Sequence, residues 1–165
     1  MNSVLPGVDV LYQEQSPELL HFLRQRRCGL VTNHTGRTRD GKSTLEVLEE
    51  LEVSVGALFF PEHGPRGVLE GNLESTTEFG RTHHSLYGET RRPTSQMLQG
   101  IDALVFDIQD VGARFYTYSS TLALCLEACA EHGVAVVVLD RPNPLGGEVI
   151  EGPLVDEDVR SFVGH

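Results

Sequence analysis

Basic residues are scarce in this chain: 13 lysines and arginines face 24 aspartates and glutamates, leaving a formal net charge of −11 and a pI near 5.0. Nucleic-acid backbones and anionic lipid surfaces are bound through a basic face, so general electrostatic attraction to nucleic acid or to membrane is excluded. An anionic ligand must be held locally, by a few arginines. Long apolar runs are also missing, and no stretch approaches the roughly 20 residues of a membrane-spanning helix. Met1-Asn2-Ser3-Val4-Leu5 lacks the basic, apolar and small-residue regions of an export signal. The chain as given is therefore expected in the cytoplasm, unless an incomplete N-terminus hides a route to export. Cysteine is limited to Cys28, Cys125 and Cys129. The first leads into a predicted strand and the other two lie four apart on the apolar face of a predicted helix. Buried thiols are expected, not a disulfide framework or a metal site, and they suit a reducing compartment.

Several motifs are absent. No G-x-G-x-x-G follows a strand, so neither NAD nor FAD is expected, and no other cofactor is assigned. No serine occupies a G-x-S-x-G elbow, which argues against Ser-His-Asp hydrolysis. His34, His63, His83, His84 and Asp107 have the donor types of a metal site, but no H-x-x-x-H or similar local spacing joins them, and His83-His84 reads as solvated loop. No metal is assigned. No internal repeat, low-complexity tract or inter-domain linker divides the 165 residues, and 39% hydrophobic residues suffice for one packed domain over 1–165.

What is present is an alternation of helices with short apolar strands. Ser16-Pro17-Glu18 starts a helix, with a capping hydroxyl and proline at its first position. Cys28-Gly29-Leu30-Val31-Thr32-Asn33 is a strand. Ser43-Thr44-Leu45-Glu46 matches a capping box and leads a helix carrying Leu45, Val47, Leu48 and Leu51. Residues 55–60 form a buried strand that Pro61 stops. Residues 64–92 show no period and read as a functional loop or lid, followed by a short helix over 93–98. Residues 101–107 form a third strand. Residues 117–132 form a helix with Leu122, Leu126 and Cys129 inside and Gly133 as its stop, and residues 134–139 form a fourth strand. Right-handed crossovers then predict an α/β fold, a Rossmann-like three-layer domain whose mainly parallel sheet of at least four strands is covered by helices on both faces.

In such sheets ligands gather at the carboxyl ends of the strands. The four exits carry Asn33 with His34, Glu62 with His63, Asp107 with Asp110, and Asp140 with Arg141. A carboxyl at an apolar strand end is partly desolvated, which favours its neutral form and suits a general acid; Glu62 is the first choice. Asp107 or Asp110 would stabilise positive charge or orient a water, and Tyr116 and Tyr118 would hydrogen-bond a polar substrate. Taken singly, each Asp or Asn has the alternative of capping a turn, and only convergence of the exits favours a site.

Gly29-Leu30-Val31-Thr32-Asn33-His34-Thr35-Gly36, Pro61-Glu62-His63-Gly64, Ser85-Leu86-Tyr87-Gly88, the run from Val105 through Asp107-Ile108-Gln109-Asp110 to Tyr118, and Asp140-Arg141-Pro142-Asn143-Pro144-Leu145-Gly146-Gly147 together resemble one family. It is the family catalogued as DUF1343, which includes exo-acting β-N-acetylmuramidases of the NamZ type. The resemblance implies a glycosidase releasing N-acetylmuramic acid from the non-reducing end of peptidoglycan fragments in cell-wall turnover and recycling, with a muramyl saccharide as its partner. It also implies a Rossmann-like first domain, here 1–165, followed in the family by a second domain that this chain does not contain, with the active site between the two.

On that resemblance Glu62 takes the acid role, and His63, Asp107 and Asp110 complete the catalytic candidates. The lactyl carboxylate of the sugar needs a placed cation, for which Arg66, Arg114 and Arg141 are candidates. For Arg114 and Arg141 the alternative is internal pairing with Asp107, Asp110 or Asp140. Asn33, His34, Tyr116, Tyr118, Asp140 and Asn143 complete the expected substrate contacts. A domain that binds a muramyl sugar without cleaving it is the competing reading, and a metal-dependent hydrolase the third.

Overall fold

A computed structural model describes residues 4–61, 76–78, 81–87 and 90–164. Among them the sheet has six strands: β1 (Arg27–Thr32), β2 (Ser54–Phe60), β3 (Thr76–Glu78), β4 (Arg81–Ser85), β5 (Ala103–Asp107) and β6 (Ala135–Val138). Their order is β3-β4-β2-β1-β5-β6. All neighbours run parallel except β3, which pairs antiparallel with β4 at one edge. The protein is an α/β, Rossmann-like domain. Strand β1 lies at the centre, with β2 and β4 built outward on one side and β5 and β6 on the other. The order of the chain reverses there, so the carboxyl ends of β1 and β5 border the crevice where doubly wound sheets bind ligands.

Alternation of side chains along the strands makes two cores. On one face Leu30, Leu58 and Val105 pack with Val8 and Leu11 of α1 (Gly7–Tyr12), Leu20 and Leu23 of α2 (Pro17–Arg24) and Val47 and Leu48 of α3 (Thr44–Glu50). On the other, Val31, Phe59 and Leu104 pack with Cys125, Ala128 and Cys129 of α4 (Tyr118–His132). Phe59 and Leu104 are fully buried, and each such side chain contributes about 1.5–3 kcal/mol over its exposed state.

Helix α3 carries the expected capping box: the Ser43 hydroxyl accepts from the Glu46 N–H and the Glu46 carboxylate accepts from the Ser43 N–H. Helix α4 ends where Gly133 turns left-handed at φ 68°. Other local expectations are corrected. Ser16 precedes α2 without a side-chain capping bond. Leu126 is 46% exposed, and Cys125 takes the inward position expected of it. Residues 93–98 are not a helix: one helical bond, Leu98 N–H to the Thr94 carbonyl, gives way to tighter bonds from Gln99 to Gln96 and from Ile101 to Leu98. Residues 81–85, expected in an irregular stretch, form β4, and His83 and His84 sit in the sheet and not in a solvated loop. The His84 ring packs on Phe59 at 5.0 Å between centroids, and His83 sets its edge to Phe60 at 5.9 Å. A polar strand satisfies its backbone by pairing on both sides, which its composition does not reveal.

Candidate functional site

The centre of the carboxyl edge is occupied by Asp107, the last residue of β5 and wholly buried. The Arg141 guanidinium, arriving after β6, donates through Nε to Oδ1 and through Nη2 to Oδ2, the latter at 2.9 Å. The Thr44 hydroxyl at the start of α3 also donates to Oδ2. From β1, the Thr32 hydroxyl donates to the Asp107 carbonyl at 2.9 Å. Burial pushes the Asp107 carboxyl above the usual carboxylate range, and Arg141 and Thr44 draw it part of the way back. Gly36 makes this convergence sterically feasible, because a Cβ there would collide with the Thr32 hydroxyl and the Asp107 carbonyl.

Two further cross-links tie the exits together. Asn33 is buried, donates from Nδ2 to the Tyr118 hydroxyl at 3.0 Å, and accepts at Oδ1 from the Thr35 N–H and hydroxyl. Gln109 donates its N–H to the Thr35 hydroxyl at 3.0 Å and its Nε2 to the carbonyls of Asp110 and Pro142. The exits of β1, β5 and β6 are thereby one hydrogen-bonded assembly. The Tyr116 ring stands edge-on against Tyr118, 4.8 Å between centroids.

The expected site residues fall into distinct positions. Asp107, Arg141 and Asn33 face inward, engaged by neighbours. Asp110 is half-buried, with Oδ1 accepting from the Gly112 N–H at 2.7 Å. His34, Arg114, Asp140 and Asn143 are exposed. Arg114 donates to the Pro153 carbonyl at 2.8 Å; Asp140 accepts from the Arg141 N–H; Asn143 accepts from the Leu145 N–H. Glu62, His63 and Arg66 lie outside the described residues, as does much of the stretch expected to form a lid. Among the described residues no three His, Cys, Asp or Glu side chains gather as a metal site would require. Thr35, Arg37, Thr44 and Gln109 are participants that the residue types alone did not single out.

Two concavities flank the Asp107–Arg141 pair. One, about 180 Å³, opens on the α3 side between the exits of β1 and β2 and is lined by His34, Arg37, Ser43, Leu45, Leu58 and Phe60 among others. The second, about 160 Å³, opens on the α4 side and is lined by Phe106, Asp110, Tyr118, Ser119, Asp140 and Arg141 among others.

Residues 28–165 match the family described as exo-beta-N-acetylmuramidase NamZ, N-terminal. The chain is 44% identical over 166 residues to the peptidoglycan beta-N-acetylmuramidase NamZ of Bacillus subtilis strain 168, a match spanning 98% of this chain and 39% of that protein. Two crystal structures of DUF1343 family proteins from Bacteroides fragilis NCTC 9343 are also similar. One, at 1.65 Å resolution, superposes with a TM-score of 0.85 at 45% identity over 97% of this chain and 40% of its own. The other, at 1.30 Å, gives 0.80 at 35% identity over 99% and 41%. The chain thus spans about two fifths of the length of these relatives.

Proposed function

This chain belongs to the NamZ N-terminal family, and from that premise we propose that it supplies the catalytic-acid wall of a peptidoglycan β-N-acetylmuramidase, releasing N-acetylmuramic acid from the non-reducing end of peptidoglycan fragments during cell-wall turnover. The observation that carries the reading is the 44% identity, over nearly the whole chain, to a relative bearing that activity in its name. The fold supports it by bringing the exits of β1, β5 and β6 to one carboxyl edge.

Glu62, on the exit of β2, protonates the departing glycosidic oxygen, with His63 beside it in the chain. Of the two aspartates, Asp110 serves as the second carboxylate: it is half-buried and borders the α4-side concavity. Asp107 acts as a positioning residue, since both of its oxygens are held by Arg141 and Thr44 and it has no exposed surface. Tyr116, His34 and Asn143 stand close enough to the edge to contact a saccharide, and Arg66 and Arg114 remain cations for it.

The chain is the first of two domains, and the second closes the cleft. Supporting this are the greater length of the relatives and a run of exposed apolar side chains after the edge: Leu145 at 70%, Ile150 at 99% and Leu154 at 93%. Apolar surface of this kind marks a contact face.

The test is release of chromophore from a β-N-acetylmuramide by this chain beside Glu62→Gln. Release that vanishes in the variant while the fold is kept is expected; equal release by both would overturn the assignment of Glu62. Saturable muramide binding without release would favour the competing reading, a binding domain that cleaves nothing.

A further inference from the structure

A muramidase must distinguish its sugar from N-acetylglucosamine, and the two differ by a lactyl ether: one methyl group and one carboxylate. An acidic chain needs a fixed cation for that carboxylate. Arg141 is committed to Asp107 with only 7% of its side chain exposed. Arg114 is anchored to the Pro153 carbonyl, away from both flanking concavities as they are lined.

The concavity on the α3 side has the required combination. Leu45, Leu58 and Phe60 supply apolar walls, and among the described residues Arg37 is the arginine that lines it. Its volume of about 180 Å³ falls below the roughly 300 Å³ at which small-molecule pockets begin. It therefore suits a substituent of a sugar and not a whole ring.

Arg37 is also preorganised. Its Nε donates to the His34 carbonyl and its Nη1 to the Gly41 carbonyl, both at 3.0 Å, which fixes the guanidinium plane and, among the described residues, leaves Nη2 for a ligand. The loop beneath is closed by bonds from Thr44 to Gly36 and from Thr38 to Lys42. Arg141 adds a clamp, donating from Nη2 to the Arg37 carbonyl at 2.9 Å. Among the described residues, Glu46 is a carboxylate whose charge responds to Arg37, and that group is already taken by the Ser43 N–H and hydroxyl. A guanidinium held by neutral carbonyls keeps its full charge for an incoming anion.

We propose that this concavity is the subsite for the acidic side-arm of the sugar, with Arg37 the residue that selects a muramide over a glucosaminide. The inference rests on the muramidase reading and names the specificity element within it. Binding of the methyl β-glycosides of N-acetylmuramic acid and N-acetylglucosamine is titrated into the ¹⁵N-labelled chain and followed by amide shifts. The wild type is expected to prefer the muramide by about tenfold or more, the worth of one charge-assisted hydrogen bond, with shifts at His34, Gly36 and Thr44. Arg37→Ala equalises the two sugars without changing the melting temperature by more than a few degrees, and Arg37→Lys restores part of the preference. A preference that survives in Arg37→Ala, or shifts centred on Phe106 and Tyr118 instead, overturns the inference and leaves the muramidase reading intact. No preference in the wild type, or no binding of either sugar, overturns the inference, because the subsite is assigned to this chain; the muramidase reading stands or falls separately, on chromophore release.

Discussion

Asp107 and Arg141, 34 residues apart in sequence, form a two-pronged ion pair in which the arginine side chain is 7% exposed and the aspartate side chain not at all. The pair sits where the order of the strands reverses, the position a doubly wound sheet ordinarily leaves for a ligand. Here a side-chain cross-link fills it, and ligand space is displaced to the two concavities on either side.

Breaking this pair from one side strands a buried charge. Asp107→Ala and Arg141→Ala should each destabilise the fold by about 3–5 kcal/mol. Asp107→Leu combined with Arg141→Met should lose far less than the two single losses added together. Urea unfolding of the three variants checks this, and single losses near zero would show that water already compensates the charges.

The capping box of α3 lies directly beneath the Arg37 loop. Ser43→Ala should lower stability by about 1 kcal/mol. The Glu46 carboxyl is held below its usual range, first by the Ser43 hydroxyl and then by the Ser43 N–H. Its contribution is therefore complete above the ordinary glutamate pKa and disappears as pH falls through the lowered value. Denaturant midpoints for Ser43→Ala and wild type should accordingly converge at low pH; a constant gap down to pH ~2 would refute the link.

His84 acts with the same sign, in a higher pH range. Burial, and then the neighbouring charge of His83, hold its imidazole below the usual range. Below pH ~6.5 the unfolded chain takes up a proton there that the folded one resists. Stability should fall as pH drops from 7 towards that lowered value, and His84→Gln should flatten this part of the curve. Thermal melting at half-unit steps measures it, and parallel curves for the two proteins would exclude His84 as the source.

The three thiols are buried, and burial raises Cys28 and Cys129 to about 11 and Cys125 to about 12. Thiolate is the reactive form. Native protein at pH 8 should leave an aromatic disulfide reagent almost unreacted over minutes, and all three should react once the chain is unfolded in denaturant. Fast labelling of Cys125 and Cys129 in the native state would mean the α4 face opens readily.

The parallel sheet, the capping box and the Gly133 stop were legible because each is written in neighbouring residues: continuous apolar runs, a Ser-x-x-Glu spacing, a glycine after a helical period. Strand β4 was not, because Arg81-Thr82-His83-His84-Ser85 owes its conformation to pairing with β2 and β3 and not to composition. The pairing of Arg141 was one of two alternatives, and deciding it requires knowing that a residue after β6 reaches the end of β5. Arg37 passed unnoticed for a related reason. A cation between Gly36 and Thr38 reads as an ordinary turn residue until the carbonyls of His34 and Gly41 are seen to hold it. Glu62 and His63 were conspicuous in the sequence and lie outside the described residues.

The central position of β1 also sets a timetable for synthesis. One of its edges pairs with β2, which follows soon after, but the other waits for β5: Asp102, whose carboxylate accepts from the Arg27 N–H, comes 75 residues later. At about 5–20 residues per second on the ribosome, that interval is roughly 4–15 s. Throughout it the nascent half-sheet carries the apolar residues 28–31 along an open edge. Such an edge can recruit any other extended chain, so a chaperone that shields it should raise the yield of folded protein more than one that acts after release.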